Sequence, residues 1–204
     1  MNVNPMPYEV AGRVICKQAV DLWLKNLRYR WSRIRHITSP KEVPAHLLPK
    51  YSIYIPKNVS DVGRVTQELW NRFEYTYDSW DRLYDSIDTP ASCWMRAFEN
   101  TPLRDDCDGF HSAMYWTVSR MGGVRNCLLL TVATREIKQS HSVLIFSLGP
   151  SFYLVNYRYV SHALGGVEGT IEDLKRQHYR NRVEIISWEL SEWDGRRWRT
   201  GRVK

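Results

Sequence analysis

His141-Ser142-Val143-Leu144-Ile145-Phe146-Ser147-Leu148-Gly149-Pro150-Ser151-Phe152-Tyr153-Leu154-Val155-Asn156 is the stretch on which the reading of this chain turns. Two apolar runs rich in β-branched and aromatic residues meet at a Gly-Pro pair, the pattern of antiparallel strands joined by a tight turn. With a two-residue loop at Gly149 and Pro150, Leu148 pairs with Ser151, and partners along the ladder have residue numbers that sum to 299. Val143 then faces Asn156. His141 stands two residues from Val143, so it shares a sheet face with Asn156 as a diagonal neighbour within side-chain reach. A one-residue slip would turn Asn156 to the opposite face.

Upstream, residues 124–133 read as a further apolar strand. Before them, Asp105 or Asp106 can cap a helix through Phe110, Ala113, Met114 and Val118, closed by Gly122 and Gly123. That helix carries Cys107 in its first turn. Thr89 and Pro90 open another helix, carrying Trp94, Ala97 and Phe98 and stopping before Pro102. Ser60 can cap a helix with Val62, Val65, Leu69 and Phe73 on one face. Residues 9–36 show helical spacing with arginines at the exit, and four prolines mark 38–58 as an extended connection. Downstream, 152–160 reads as one strand, Thr170 to Tyr179 as a short helix, and 183–190 as a strand. Asp194 and Gly195 suggest a two-residue hairpin turn that sets Trp193 against Arg196 as a local indole–guanidinium pair. The whole is an α+β chain, a helix bearing Cys107 packed on an antiparallel sheet. It divides into a basic N-terminal helix and connection (1–58), a core (59–165) and a C-terminal helix and hairpin completing that core (166–204).

The chain has 204 residues, 43% hydrophobic and 25% charged, which fits one folded domain with extensions and excludes a disordered or fibrous chain. No apolar run reaches membrane-spanning length and Met1 to Val10 lacks the apolar stretch of a secretory signal, so a cytoplasmic protein is expected. Residues 1–40 carry seven Lys/Arg against two acids and 175–204 nine against four, while the middle is slightly acidic. Basic ends suit solubility first, and an anionic partner second. No zinc-finger spacing, RNA-binding signature or phosphate-cradling glycine loop accompanies them. Trp188, Trp193 and Trp198 among arginines could stack on bases or sugars, though cross-strand packing explains them equally well.

A cysteine at a helix N-terminus has backbone N–H groups and the positive dipole end beside it, which favour thiolate. Asp106 and Asp108 oppose that ionisation, so a nucleophilic Cys107 requires an imidazole partner. His141 is the candidate base, with Asn156 to orient its ring: a Cys107–His141–Asn156 relay. His111, one turn along the helix from Cys107, reads as packing or surface. Cys16, Cys93 and Cys127 read as inert packing thiols.

The order of these motifs resembles the transglutaminase-like, papain-related cysteine peptidases, closest to their bacterial branch. The resemblance rests on Thr89-Pro90, Asp105-Asp106-Cys107-Asp108-Gly109-Phe110, Leu128-Leu129-Leu130, His141-Ser142-Val143-Leu144 and Tyr153-Leu154-Val155-Asn156, and covers about residues 60–160. It departs at Asp105, where the family motif has glycine, at Gly109, where it has an acid, and at Asn156, where these enzymes usually have Asp. The resemblance implies a papain-like core and a second oxyanion donor, for which Trp94 is the placed candidate; a core indole is an equal reading of Trp94. Some relatives bind calcium beside the cysteine. Asp106 and Asp108 match those places, but Gly109 lacks the third acid, and no metal or other cofactor is expected.

The expectation is therefore a thiol hydrolase: a cysteine peptidase or amidase acting on a protein or peptide substrate through a thioester. The rival is a non-catalytic binding or assembly module that keeps the fold, for instance in a virion or another large complex.

Overall fold

The computed structural model describes residues 40–76, 88–99, 102–134 and 139–200. The expected helix at 9–36, Cys16 and the basic residues at both extreme ends lie outside them.

Residues 40–58 are not a detached linker. Val43 and Tyr51 are buried, and Tyr51 lies on a short helix, α1 (Leu48–Ser52), its ring edge-on to Phe98 and Trp116. The prolines exclude one long helix, but Pro49 sits in the first turn of α1, where a missing N–H costs nothing. Helix α2 (Val59–Trp70) buries Val62, Val65 and Leu69 at helical spacing. Its cap is Asn58 instead of Ser60: the Asn58 side chain accepts the Asp61 N–H, and Asp61 in turn accepts that of Lys57.

Strand β1 (Phe73–Tyr75) pairs in parallel with β2 (Leu103–Asp105), with α3 (Pro90–Ala97) between them in the chain. Thr89 caps α3 by accepting the Ser92 N–H at 3.1 Å, with Pro90 at its start. Helix α4 (Cys107–Val118) follows β2 directly; its cap is Asp106, and every residue of it is buried.

The sheet comprises β3 (Val124–Thr134), β4 (His141–Leu148), β5 (Ser151–Asn156), β6 (Tyr159–His162), β7 (Ile185–Trp193) and β8 (Trp198–Thr200). Its order is β6-β5-β4-β3-β7-β8, and all neighbours are antiparallel. The chain is α+β. β4 and β5 pair from Leu148↔Ser151 to Leu144↔Val155, the register the Gly149-Pro150 turn dictates, with Gly149 at φ +59°. The expected single strand at 152–160 is broken by a turn at Tyr157-Arg158 that folds β6 back on β5. The expected two-residue turn at Asp194-Gly195 is a four-residue loop, so Trp193 faces Trp198 instead of Arg196. The Asp194 carboxylate opens that loop by accepting the N–H groups of both Arg196 and Arg197 at 2.8 Å.

Both sheet faces are covered. Leu129, Leu144, Phe146 and Val155 pack toward α3 and α4, while Leu130, Val132, Val143, Ile145 and Leu154 pack toward α5 (Gly166–Asp173) through Val167 and Ile171. Helix α5 begins four residues before the expected Thr170, whose buried hydroxyl instead donates to the Gly166 carbonyl. It runs on into a π-helical turn, Leu174–His178. Among the described residues no helix is long and apolar enough to cross a membrane.

Candidate active site

Three elements converge at the start of β4. Helix α4 begins at Cys107, because the Asp106 side chain accepts the Asp108 N–H at 3.1 Å and fixes the first turn. The Cys107 sulfur is the acceptor of the Ser142 backbone N–H at 3.4 Å. Ser142 follows His141, so the sulfur lies within one peptide unit of the imidazole-bearing residue. β5 ends at Asn156, and there the His141 Nε2 donates to Asn156 Oδ1 at 2.9 Å. Since an amide oxygen only accepts, Nε2 carries the proton, and the lone pair of the neutral ring is at Nδ1.

Burial decides the charge of this ring. His141 is 4% exposed, and desolvation, then the neighbouring His178 and His111, push its pKa well below the ordinary imidazole range; the Asn156 bond pulls it partly back. A neutral ring with its lone pair at Nδ1 is a base. Cys107 as a residue keeps 9% exposure, so little of it meets solvent.

From sequence His111 reads as packing or surface, and the structure gives it more to do. Fully buried, it donates from Nδ1 to the Cys107 carbonyl at 2.5 Å and accepts the Tyr157 N–H at Nε2, 3.1 Å away. One imidazole thus ties the residue that bears the sulfur to the residue after Asn156. Burial drives its pKa down to about 3, so it stays neutral and keeps this tautomer. The bond also holds Tyr157 at φ +48°, a left-handed conformation unfavourable for a bulky residue. The Tyr157 ring packs 5.3 Å from those of both His111 and His141. No local signal marks His111 as a strap, since its partner lies 46 positions away.

Trp94 is elsewhere. Its ring stacks on Trp116 at 5.3 Å and packs on Phe98 and Tyr54, while Trp116 is nine residues beyond Cys107, about 14 Å along an α-helix. It is fully buried, and its indole N–H finds no acceptor among the described residues. The donor beside the sulfur is the Ser142 amide, which no side-chain pattern could reveal.

Asp105 and Gly109 form one device. The Asp105 carboxylate accepts from Arg96 at 2.8 Å and from the Asp106 N–H at 3.0 Å, and its Cγ lies 2.1 Å from where a Cβ on Gly109 would stand. Position 109 is glycine because the carboxylate of residue 105 occupies its side-chain space. The carboxylates of Asp105, Asp106 and Asp108 gather within 4.8 Å of one another. A cation fits this set poorly: the Arg96 guanidinium already neutralises Asp105, and Asp106 Oδ1 is committed to the helix cap. Cys93 and Cys127 are buried free thiols whose pKa values burial raises, as inert packing residues should have.

No protein-family model matches this chain, and no match was found among curated proteins or solved structures. The reading of function rests on the fold and on this cluster.

Proposed function

We propose that this chain is a cysteine peptidase or amidase with a transglutaminase-like, papain-related core. The observation that carries the reading is the His141–Asn156 hydrogen bond of 2.9 Å, made where the Cys107 sulfur meets the adjoining Ser142 amide at 3.4 Å. Nδ1 of His141 takes the thiol proton as sulfur attacks the carbonyl carbon of a peptide or isopeptide. The carbon–nitrogen bond breaks, His141 returns its proton to the leaving amine, and a thioester remains. Water then attacks that thioester with His141 again as base, releasing acid and thiol; resolution by an amine is the lesser outcome. Asn156 keeps the proton on Nε2 throughout. The departures at Asp105 and Gly109 set this chain apart from the family motif and count toward the non-catalytic reading; the Asp105 carboxylate fills the space beside Gly109.

The test is labelling by a thiol-reactive, amide-mimicking probe. Cys107 is expected to react in the native chain and Cys107→Ala to abolish the signal; equal labelling of both defeats the assignment. A non-catalytic assembly module, such as a virion component, is the second reading, and the small exposures of Cys107 and His141 also favour it. Under that reading the native chain stays unlabelled and enters a large complex intact.

A further inference from the structure

Behind His141 lies a second imidazole that the relay does not use. The rings of His178 and His141 stack face to face, centroids 4.2 Å apart and planes 1° from parallel. The Tyr157 ring also packs on His141, 5.3 Å away and tilted by 37°, and the His111 ring meets it edge-on at 5.9 Å. These rings surround His141, whose Nε2 is fixed by Asn156.

The backbone is unusual just where it delivers His178. Helix α5 widens into the π-helical turn Leu174–His178, closed by the Tyr179 N–H on the Leu174 carbonyl at 3.0 Å. A π turn rotates the side chains beyond it relative to α-helical continuation, and such turns gather at functional sites. Arg180 and Asn181 follow at φ +51° and +57°, two consecutive non-glycine residues in the left-handed region. Tyr179 anchors the turn: its ring is buried and its hydroxyl donates at 2.6 Å to the carbonyl of Gln139, two residues before His141. His178 itself is exposed. An exposed residue whose ring a π turn, followed by two left-handed residues, sets on a buried base does more than fill core volume.

We propose that His178 is a positioning residue for the base: its stacked ring holds the plane of His141 so that Nδ1 faces the Cys107 sulfur. On its own element Lys175 pairs with Glu172 and Arg176 with Asp173, and the Tyr179 ring stands edge-on to His178 at 4.7 Å. From other elements the titratable groups that meet it are the stacked His141 ring on β4 and His111 on α4, whose pKa a charged His178 lowers. Protonation of His178 would set a like charge against an imidazolium at His141, so the stack favours both rings neutral.

This inference rests on the nucleophile reading, and its test separates the two. Alkylation of Cys107 by iodoacetamide, followed at the Cys107 peptide by mass spectrometry across pH, is compared in wild type, His178→Ala and His178→Phe. The alanine variant is expected to react about tenfold more slowly at neutral pH, and the phenylalanine variant, which keeps a stacked ring, to stay within about threefold of wild type. The His141 titration, read from imidazole NMR signals, is expected to move upward in His178→Phe as the repelling neighbour is removed. Thermal melting of each variant establishes that it is folded; should His178→Ala not fold, the phenylalanine rate and titration decide. Wild-type rates in both variants with an unmoved His141 titration overturn the proposal, and so does an equal loss in both, since the stack alone then does not hold the base. A wild-type profile like that of a free thiol overturns the nucleophile reading instead, and this proposal with it.

Discussion

Helix α4 is packed in two different ways along its length. Around Trp116 the neighbours are Trp94, Tyr51 and, on the far side of Trp94, Phe98, and the N–H groups of both tryptophans find no acceptor among the described residues. Around Cys107 the neighbouring rings are those of His111, His141 and Tyr157, where His111 uses both nitrogens and His141 commits Nε2. An orphan buried donor costs about 1–3 kcal/mol, a loss that the apolar area of stacked indoles outweighs. At one end, then, ring shape matters and polarity is tolerated; at the other, polarity sets which atom points where. The helix is a rigid rod between a packing end and an orienting end.

The largest effect belongs to the packing end. Trp94→Ala is expected to lose about 3–5 kcal/mol in urea unfolding, the range for emptying an aromatic core site. Below its unfolding transition, the alkylation rate of Cys107 should stay near that of wild type. A rate falling in parallel with stability would join the two ends and return Trp94 to the neighbourhood of the sulfur.

At the orienting end, a single methyl group is expected to matter. Gly109→Ala sets a Cβ against the Asp105 carboxylate, and that carboxylate must leave Arg96 or the helix must shift; overpacking of this kind costs about 1–3 kcal/mol. In a double-mutant cycle of Asp105→Gly and Gly109→Asp, the double variant should lose less than the two single losses added together. Additive losses would show that the two positions do not share one acid site.

What could be read in advance divides along chemical lines. The cap at Thr89, a cap at Asp105 or Asp106 and the β4–β5 register were legible, because each follows from residues within a few positions; which aspartate caps was not. The His141–Asn156 pair followed from that register. The turn at Tyr157-Arg158 was not legible: it has no glycine, and its left-handed residue is held by His111 from another element. Likewise the Asp194 carboxylate captured two backbone N–H groups and lengthened a loop that Asp-Gly alone suggests is tight. Trp94 illustrates the opposite limit, since the same helical position serves a cleft or a core, and only the facing helix settles which. The His178–His141 stack follows a π turn, and no residue pattern marks where an α-helix widens.

The smallest effect, measured per unit of pH, belongs to the buried imidazole strap. His111 has a folded pKa of about 3, against about 6.5 for an unfolded histidine. Between those values the unfolded chain binds a proton that the folded chain refuses. The stability due to this group is therefore fully present above about pH 6.5 and falls as the solution is acidified, by about 1.4 kcal/mol per pH unit, until pH drops through the folded value. His141, whose pKa burial also lowers, adds loss of the same sign over its own window. His111→Gln, which offers an amide donor and acceptor but no titratable ring, should flatten the dependence of urea-unfolding free energy on pH between 6.5 and 4 even if it lowers the plateau. An unchanged slope in that variant would mean that acid enters the fold elsewhere, and that the strap between Cys107 and Tyr157 is not what fails first.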